Sequence, residues 1–126
     1  MKIKLLDERA AIVRLPPEAP VPAWVGGAFA SITRTEHELS IVAGEGQVPE
    51  DLHAERGWRV FEVSGPIDFS EVGVLASLAS PLAAARVSIF AVSTFDTDYL
   101  MVKETSLDRA IEALRSAGHE IVDEGC

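Results

Sequence analysis

The sequence predicts an α+β chain made of two ferredoxin-like modules, the first of them trimmed. Three observations carry that reading. Strand and helix signals in the second half follow the order strand, helix, strand, strand, helix, strand, the split βαββαβ arrangement with an antiparallel sheet and both helices on one face. A hairpin pattern in that half has a weak echo sixty residues earlier. And 126 residues, 48% hydrophobic and 25% charged, have the composition of a chain folded throughout, with room for one core or two small ones.

The second module opens with Trp58-Arg59-Val60-Phe61-Glu62-Val63, where apolar and polar residues alternate as a half-buried strand requires. Gly65-Pro66 ends it. From Asp68 onward, Val72, Leu75, Ala76, Ala79, Leu82 and Ala83 recur at helical intervals, with Asp68 and Glu71 spaced as a capping box and Pro81 placed to kink the last turn. Val87 to Ser93 and Tyr99 to Lys103 are rich in β-branched and aromatic residues, and the turn Phe95-Asp96-Thr97-Asp98 joins them as a hairpin. Ser106 then caps a helix with the apolar face Leu107, Ala110, Ile111, Leu114 and Ala117. Gly118 closes it, and His119 to Val122 supplies a last strand.

The first half offers strands at Ile3 to Leu6 and Ala10 to Leu15, a proline-rich link, a short apolar piece around Trp24, and a hairpin of Phe29 to Arg34 with Leu39 to Ala43. At an offset of sixty, Ile32 falls on Val92, Thr33 on Ser93, Glu36 on Asp96, Glu38 on Asp98 and Val42 on Val102. The first copy lacks a second helix, because 44–57 reads as a charged loop. The expected division is therefore a truncated module over 1–57 and a full one over 58–126.

A net charge of −9 argues against nucleic acid, whose binding draws on Lys and Arg releasing counterions, and against an anionic membrane surface. No apolar run approaches the roughly 20 residues a membrane-spanning helix needs. The first residues turn acidic at Asp7 and Glu8 before a signal-peptide apolar region forms, and the single cysteine, Cys126, suits a reducing compartment, so a cytoplasmic chain is expected.

No catalytic signature is present: no phosphate-cradling glycine loop, no paired cysteines, no zinc-binding helix motif and no glycine-flanked serine. His37, His53 and His119 have no ligand-like spacing. The cluster that stands out is Ser93 to Asp98 together with Asp68, Ser70 and Glu71. In a ferredoxin-like module the loop after the first strand lies beside the end of the second. Such a pocket would be acidic with one aromatic wall: Glu71 and Asp98 take an ammonium, Phe95 packs on a carbon chain, and backbone N–H groups at the helix start hold a carboxylate. The plain structural alternative is that Glu71 completes a cap and Asp96 and Asp98 shape a turn.

Residues 65–104 resemble the ACT-domain family that includes the CASTOR arginine sensors and their small bacterial relatives. The carriers are the stretch from Asp68 to Leu75, then Pro81-Leu82-Ala83, then the stretch from Ile89 to Val102. In the first half, Leu39-Ser40-Ile41-Val42 and Glu55-Arg56-Gly57-Trp58-Arg59 are similar to the bacterial relatives. The resemblance implies tandem ACT modules with a ligand between them and binding roles for Asp68, Glu71, Thr94, Phe95 and Asp98. It also extends to the regulatory end of aspartate kinases, although no kinase domain is present. Asp68 stands where the sensors use a glycine backbone, and Asp96-Thr97 replaces a bulkier turn.

The expectation is a non-catalytic sensor for a small amino-acid ligand, arginine or lysine among the candidates, acting as a homodimer on an unidentified downstream protein. No cofactor is expected. Ligand-binding positions are Asp68, Ser70, Glu71, Thr94, Phe95, Asp96 and Asp98. Two alternatives stand beside it: an interaction module without a ligand, and a small enzyme holding a divalent metal on Glu71, Asp96 and Asp98.

Overall fold

In the computed structural model, which describes residues 1–63 and 73–123, the chain divides into one unit of Met1–Asp7 with Arg59–Cys126 and another of Glu8–Trp58. In chain order the strands are β1 (Lys2–Leu5), β2 (Ala10–Leu15), β3 (Ser31–Arg34), β4 (Leu39–Gly44), β5 (Glu55–Val63), β6 (Phe90–Ser93), β7 (Asp98–Lys103) and β8 (Glu120–Asp123). The helices are α1 (Val74–Ala84) and α2 (Leu107–Ser116).

In the larger unit the strands lie in the order β6, β7, β5, β1, β8. The division differs from 1–57 and 58–126 because β1 belongs here, antiparallel to β5 (Ile3 opposite Val63) and parallel to β8 (Ile3 opposite Ile121). The cause is the alternation of Ile3 and Leu5, both buried in a core with Phe61, Val63, Leu100 and Val102 from the sheet. Leu78 and Leu82 of α1 and Ala110 and Leu114 of α2 fill the same core, which places both helices on one face. On the other face of the sheet, Val60 and Met101, which alternate with those core residues along β5 and β7, are also buried, at 1% and 0% exposed.

Helix α1 starts at Val74, after Gly73 in the left-handed region (φ 78), later than the start predicted at Asp68. Asp68, Glu71 and Val72 lie outside the described residues. Its buried stripe is Leu78 and Leu82 with Val74 and Leu75 packed beside them, whereas Ala76 and Ala83 are exposed. Alanine methyls carry little burial energy, so the leucines set the helix's rotation. The helix runs through Pro81 and ends in a Schellman arrangement, with Arg86 N–H donating to Ala83 O (3.0 Å) and Val87 N–H to Leu82 O (2.9 Å). Arg109 donates to the Ala85 and Arg86 carbonyls at 3.1 and 3.2 Å, covering that end. Helix α2 follows Ser106 as predicted and closes by the same pattern: Gly118 N–H donates to Arg115 O (3.0 Å) and His119 N–H to Leu114 O (3.0 Å).

The smaller unit orders its strands β3, β4, β2, β5 and contains no α-helix. The first copy is thus trimmed of both helices, where only the second was expected to be missing. Its core of Val13, Leu39, Ile41 and Ala43 is covered instead by Ala19, Trp24 and Val25 from the proline-rich link and by Val48, Leu52 and Ala54 from the loop before β5. Arginines pin both covers. Arg34 donates to the Pro17 and Ala19 carbonyls, and Arg56 donates to Pro49 O (2.8 Å) and Leu52 O (3.0 Å).

The two hairpins repeat at 59 residues, one fewer than predicted. Arg34 pairs Leu39 across the first turn and Ser93 pairs Asp98 across the second, and Glu45 and Glu104 each open a 3-10 turn after the hairpin. A one-residue slip exchanges the faces of a strand, so Ala43, not Val42, is the counterpart of the core residue Val102.

Candidate functional site

The β6–β7 turn is set by a threonine. Thr94 N–H donates to Thr97 O (2.8 Å), while the Thr94 hydroxyl donates to Thr97 O (3.1 Å) and accepts from Thr97 N–H (3.3 Å). A hydroxyl that substitutes for backbone partners in this way fixes a tight turn without glycine. The first hairpin uses the same device: Thr35 N–H donates to Glu38 O (2.9 Å), and the Thr35 hydroxyl accepts from His37 and Glu38 N–H at 3.1 and 3.2 Å.

The turn's second threonine reaches out of the hairpin. The Thr97 hydroxyl donates to the carbonyl of Val63, the last residue of β5. It thereby ties the turn to the point where the chain enters 64–72. Asp68, Ser70 and Glu71, predicted to converge on this turn, lie in that segment, outside the described residues.

Of the other predicted positions, Thr94, Phe95 and Asp96 sit in the turn and are exposed, Phe95 at 77%. Asp98 is the first residue of β7 instead of part of the turn, because it pairs with Ser93. It is half-buried, and its Oδ1 accepts a 2.6 Å hydrogen bond from the Ser93 hydroxyl. No Lys or Arg pairs with Asp98 among the described residues. One residue on, burial pushes the Tyr99 hydroxyl above its ordinary pKa, and the Glu62 carboxylate on the neighbouring strand adds to the effect. Ser93 and Thr97 lie in the cluster that stands out in the sequence but not among the predicted ligand-binding positions, and Tyr99 lies in neither. The signal was present for two of them, since Ser93 and Thr97 flank predicted positions in the same polar run, but only register shows what their hydroxyls meet.

Among the described residues, no group of three or more His, Cys, Asp or Glu side chains converges as a metal site would. The trio Glu71, Asp96 and Asp98 depends on Glu71, outside them. Among the same residues, no helix is long and apolar enough to cross a membrane.

A family model described as an ACT domain matches residues 53–116, and a second, described as an N-terminal domain, matches 8–51. The chain belongs to the ACT-domain family. Over 96 residues, 70% of this chain and 29% of the relative, it is 34% identical to the "Cytosolic arginine sensor for mTORC1 subunit 1" of Bos taurus. The counterpart of that name in Pongo abelii is 33% identical over 81% of this chain and 34% of its own length. The chain thus spans about a third of the length of the curated relatives it matches. Among solved structures, protein Atu0741 from Agobacterium tumefaciens superposes with a TM-score of 0.91 at 42% identity, covering 98% of this chain and 92% of its own. The regulatory subunit of aspartate kinase from Thermus thermophilus superposes with a TM-score of 0.65 over 91% of this chain and 95% of its own; at 12% identity it shows the ACT fold alone.

Proposed function

We propose that this ACT protein is a regulatory sensor, without catalysis of its own, that binds a small amino acid carrying a positive charge at the β6–β7 turn. It acts as a homodimer on a downstream protein. The observation that carries the reading is Asp98. A carboxylate withdrawn in part from water gains from a cation at its side, in proportion to the water it has lost. Asp98 has only a neutral hydroxyl for company among the described residues. A ligand ammonium or guanidinium supplies that charge, and Phe95, three residues earlier in the sequence and 77% exposed, offers an apolar wall for the ligand's carbon chain. The sequence resemblance supports Glu71 as a second carboxylate for the ligand, and Asp68, Ser70, Thr94 and Asp96 are the remaining candidate binding positions. The naming of the mammalian relatives as arginine sensors supports an amino acid as the ligand class. Their cytosolic naming supports a cytoplasmic location.

Binding would stabilise one arrangement of the protein over another and so alter what the downstream partner meets. The test is calorimetric titration with arginine, lysine and a pool of the other amino acids, on the native protein and on Asp98→Ala and Glu71→Ala. Loss of a charge-assisted contact should weaken binding by about ten- to a hundredfold in each variant. A folded protein that answers to no amino acid would refute the reading. That outcome would favour an interaction module, which the 77% exposure of Phe95 at the hairpin tip also suits.

A further inference from the structure

Ser93 is the last residue of β6 and stands directly opposite Asp98, the first residue of β7. Its hydroxyl lies 2.6 Å from Asp98 Oδ1. An ionised carboxylate only accepts hydrogen bonds, so the hydroxyl donates, and the length falls in the range of charge-assisted O–H···O⁻ bonds.

Closing the hairpin does not require this bond. The first hairpin has the same threonine turn and the same closing register, yet its closing pair is Arg34 and Leu39. There the arginine turns away to the Pro17 and Ala19 carbonyls, and the leucine is buried in the core. The threonine suffices to make the turn, so the hydroxyl–carboxylate pair at the second hairpin is additional to it.

We infer that Ser93 is a positioning residue for ligand binding. Its bond to Oδ1 fixes the plane of the Asp98 carboxylate and commits that oxygen to the protein, leaving Oδ2 to meet the ligand's cation. A carboxylate held in this way does not lose rotamer freedom when the ligand arrives, and binding is correspondingly tighter. The inference rests on the reading of Asp98 as the carboxylate that meets the ligand's cation.

The test compares Ser93→Thr with Ser93→Val, two side chains of nearly the same shape that differ in the hydroxyl, by calorimetric titration with lysine and with arginine. Ser93→Thr should bind within about twofold of the native protein, and Ser93→Val about tenfold more weakly. The unliganded thermal midpoints of the two variants separate loss of positioning from loss of fold. Equal affinity of Ser93→Val and Ser93→Thr, with the native protein binding normally, would overturn the role of Ser93 and leave the site standing. Failure of the native protein to bind either amino acid would overturn the site and the role together.

Discussion

Arg86→Gly should make the protein more stable. Arg86 is the one non-glycine residue with positive φ among the described residues, at φ 61, and it occupies the position after the α1 C-cap where glycine is usual. An L-residue in this region carries about 1–2 kcal/mol of steric cost, which glycine removes. Glycine in turn loses about 0.4–1 kcal/mol through the greater freedom of the unfolded chain. The balance is a gain of about 0.5–1 kcal/mol. For a two-state chain of this length, an unfolding entropy of about 0.26 kcal/mol/K turns that into a rise of about 2–4 °C in the midpoint. The assay is thermal and urea unfolding of the native protein, Arg86→Gly and Arg86→Ala. The alanine variant keeps the Cβ and discards the guanidinium, so it isolates the backbone effect. Arg86→Gly no more stable than Arg86→Ala would show that the left-handed backbone is not the source of strain.

Two further predictions follow from burial. Leu78→Ala, at a fully buried position in the α1 stripe, should cost about 2–5 kcal/mol, while Ala76→Ser on the exposed side should change stability by less than about 0.5 kcal/mol; urea unfolding of both checks the rotation of α1. The raised pKa of Tyr99 means that folding favours its neutral form, a contribution complete below the ordinary tyrosine pKa and lost as pH rises from there through the raised value of the folded chain. Stability should therefore fall more steeply above about pH 10 in the native protein than in Tyr99→Phe, as urea midpoints across that range would register.

How much of the molecule was legible in the sequence depended on whether side-chain identity or pairing decided the matter. The strand at Ala10 to Leu15 matched its prediction, and α2 began at Leu107 behind Ser106 as read, because periodic leucines and Gly118 specify both face and end. Helix α1 was read with too wide a face, since alanines at 76, 79 and 83 satisfy helical spacing on either side of the stripe that Leu78 and Leu82 define. The place of β1 was not legible: Ile3 and Leu5 announce a strand with one apolar face but not its partners, and burial against Phe61 and Ile121 decided them. The repeat was real and its offset was one residue out, because Thr33 on Ser93 and Val42 on Val102 match chemically while the hydrogen-bonded turn puts Thr35 on Thr94. Around the proposed site, Phe95 and Asp96 fall in the turn as the sequence predicts and Asp98 falls one step beyond it, whereas the Ser93–Asp98 and Thr97–Val63 contacts arise only from the register.

Comparing the two hairpins at the corrected offset separates scaffold from chemistry. Both use a threonine to close a four-residue turn, and both feed a 3-10 turn that begins with glutamate, so these are requirements of the fold. At the position after the turn, the first copy places Leu39, 0% exposed and part of a core, and the second places Asp98, half-buried and without a cation among the described residues. The leucine is the choice that packing favours, since a buried leucine contributes about 1.5–3 kcal/mol and a carboxylate in such a setting incurs a desolvation cost. Where one copy of a motif keeps the stabilising residue and the other departs from it, the departure is better explained by function than by folding. At the tip, Phe95 stands where the first copy has Glu36, and it is 77% exposed. The second hairpin therefore carries a carboxylate and an exposed aromatic three residues apart in sequence, the two features that the proposed site for a cationic amino acid calls on, on a turn that the first hairpin makes without either of these residues.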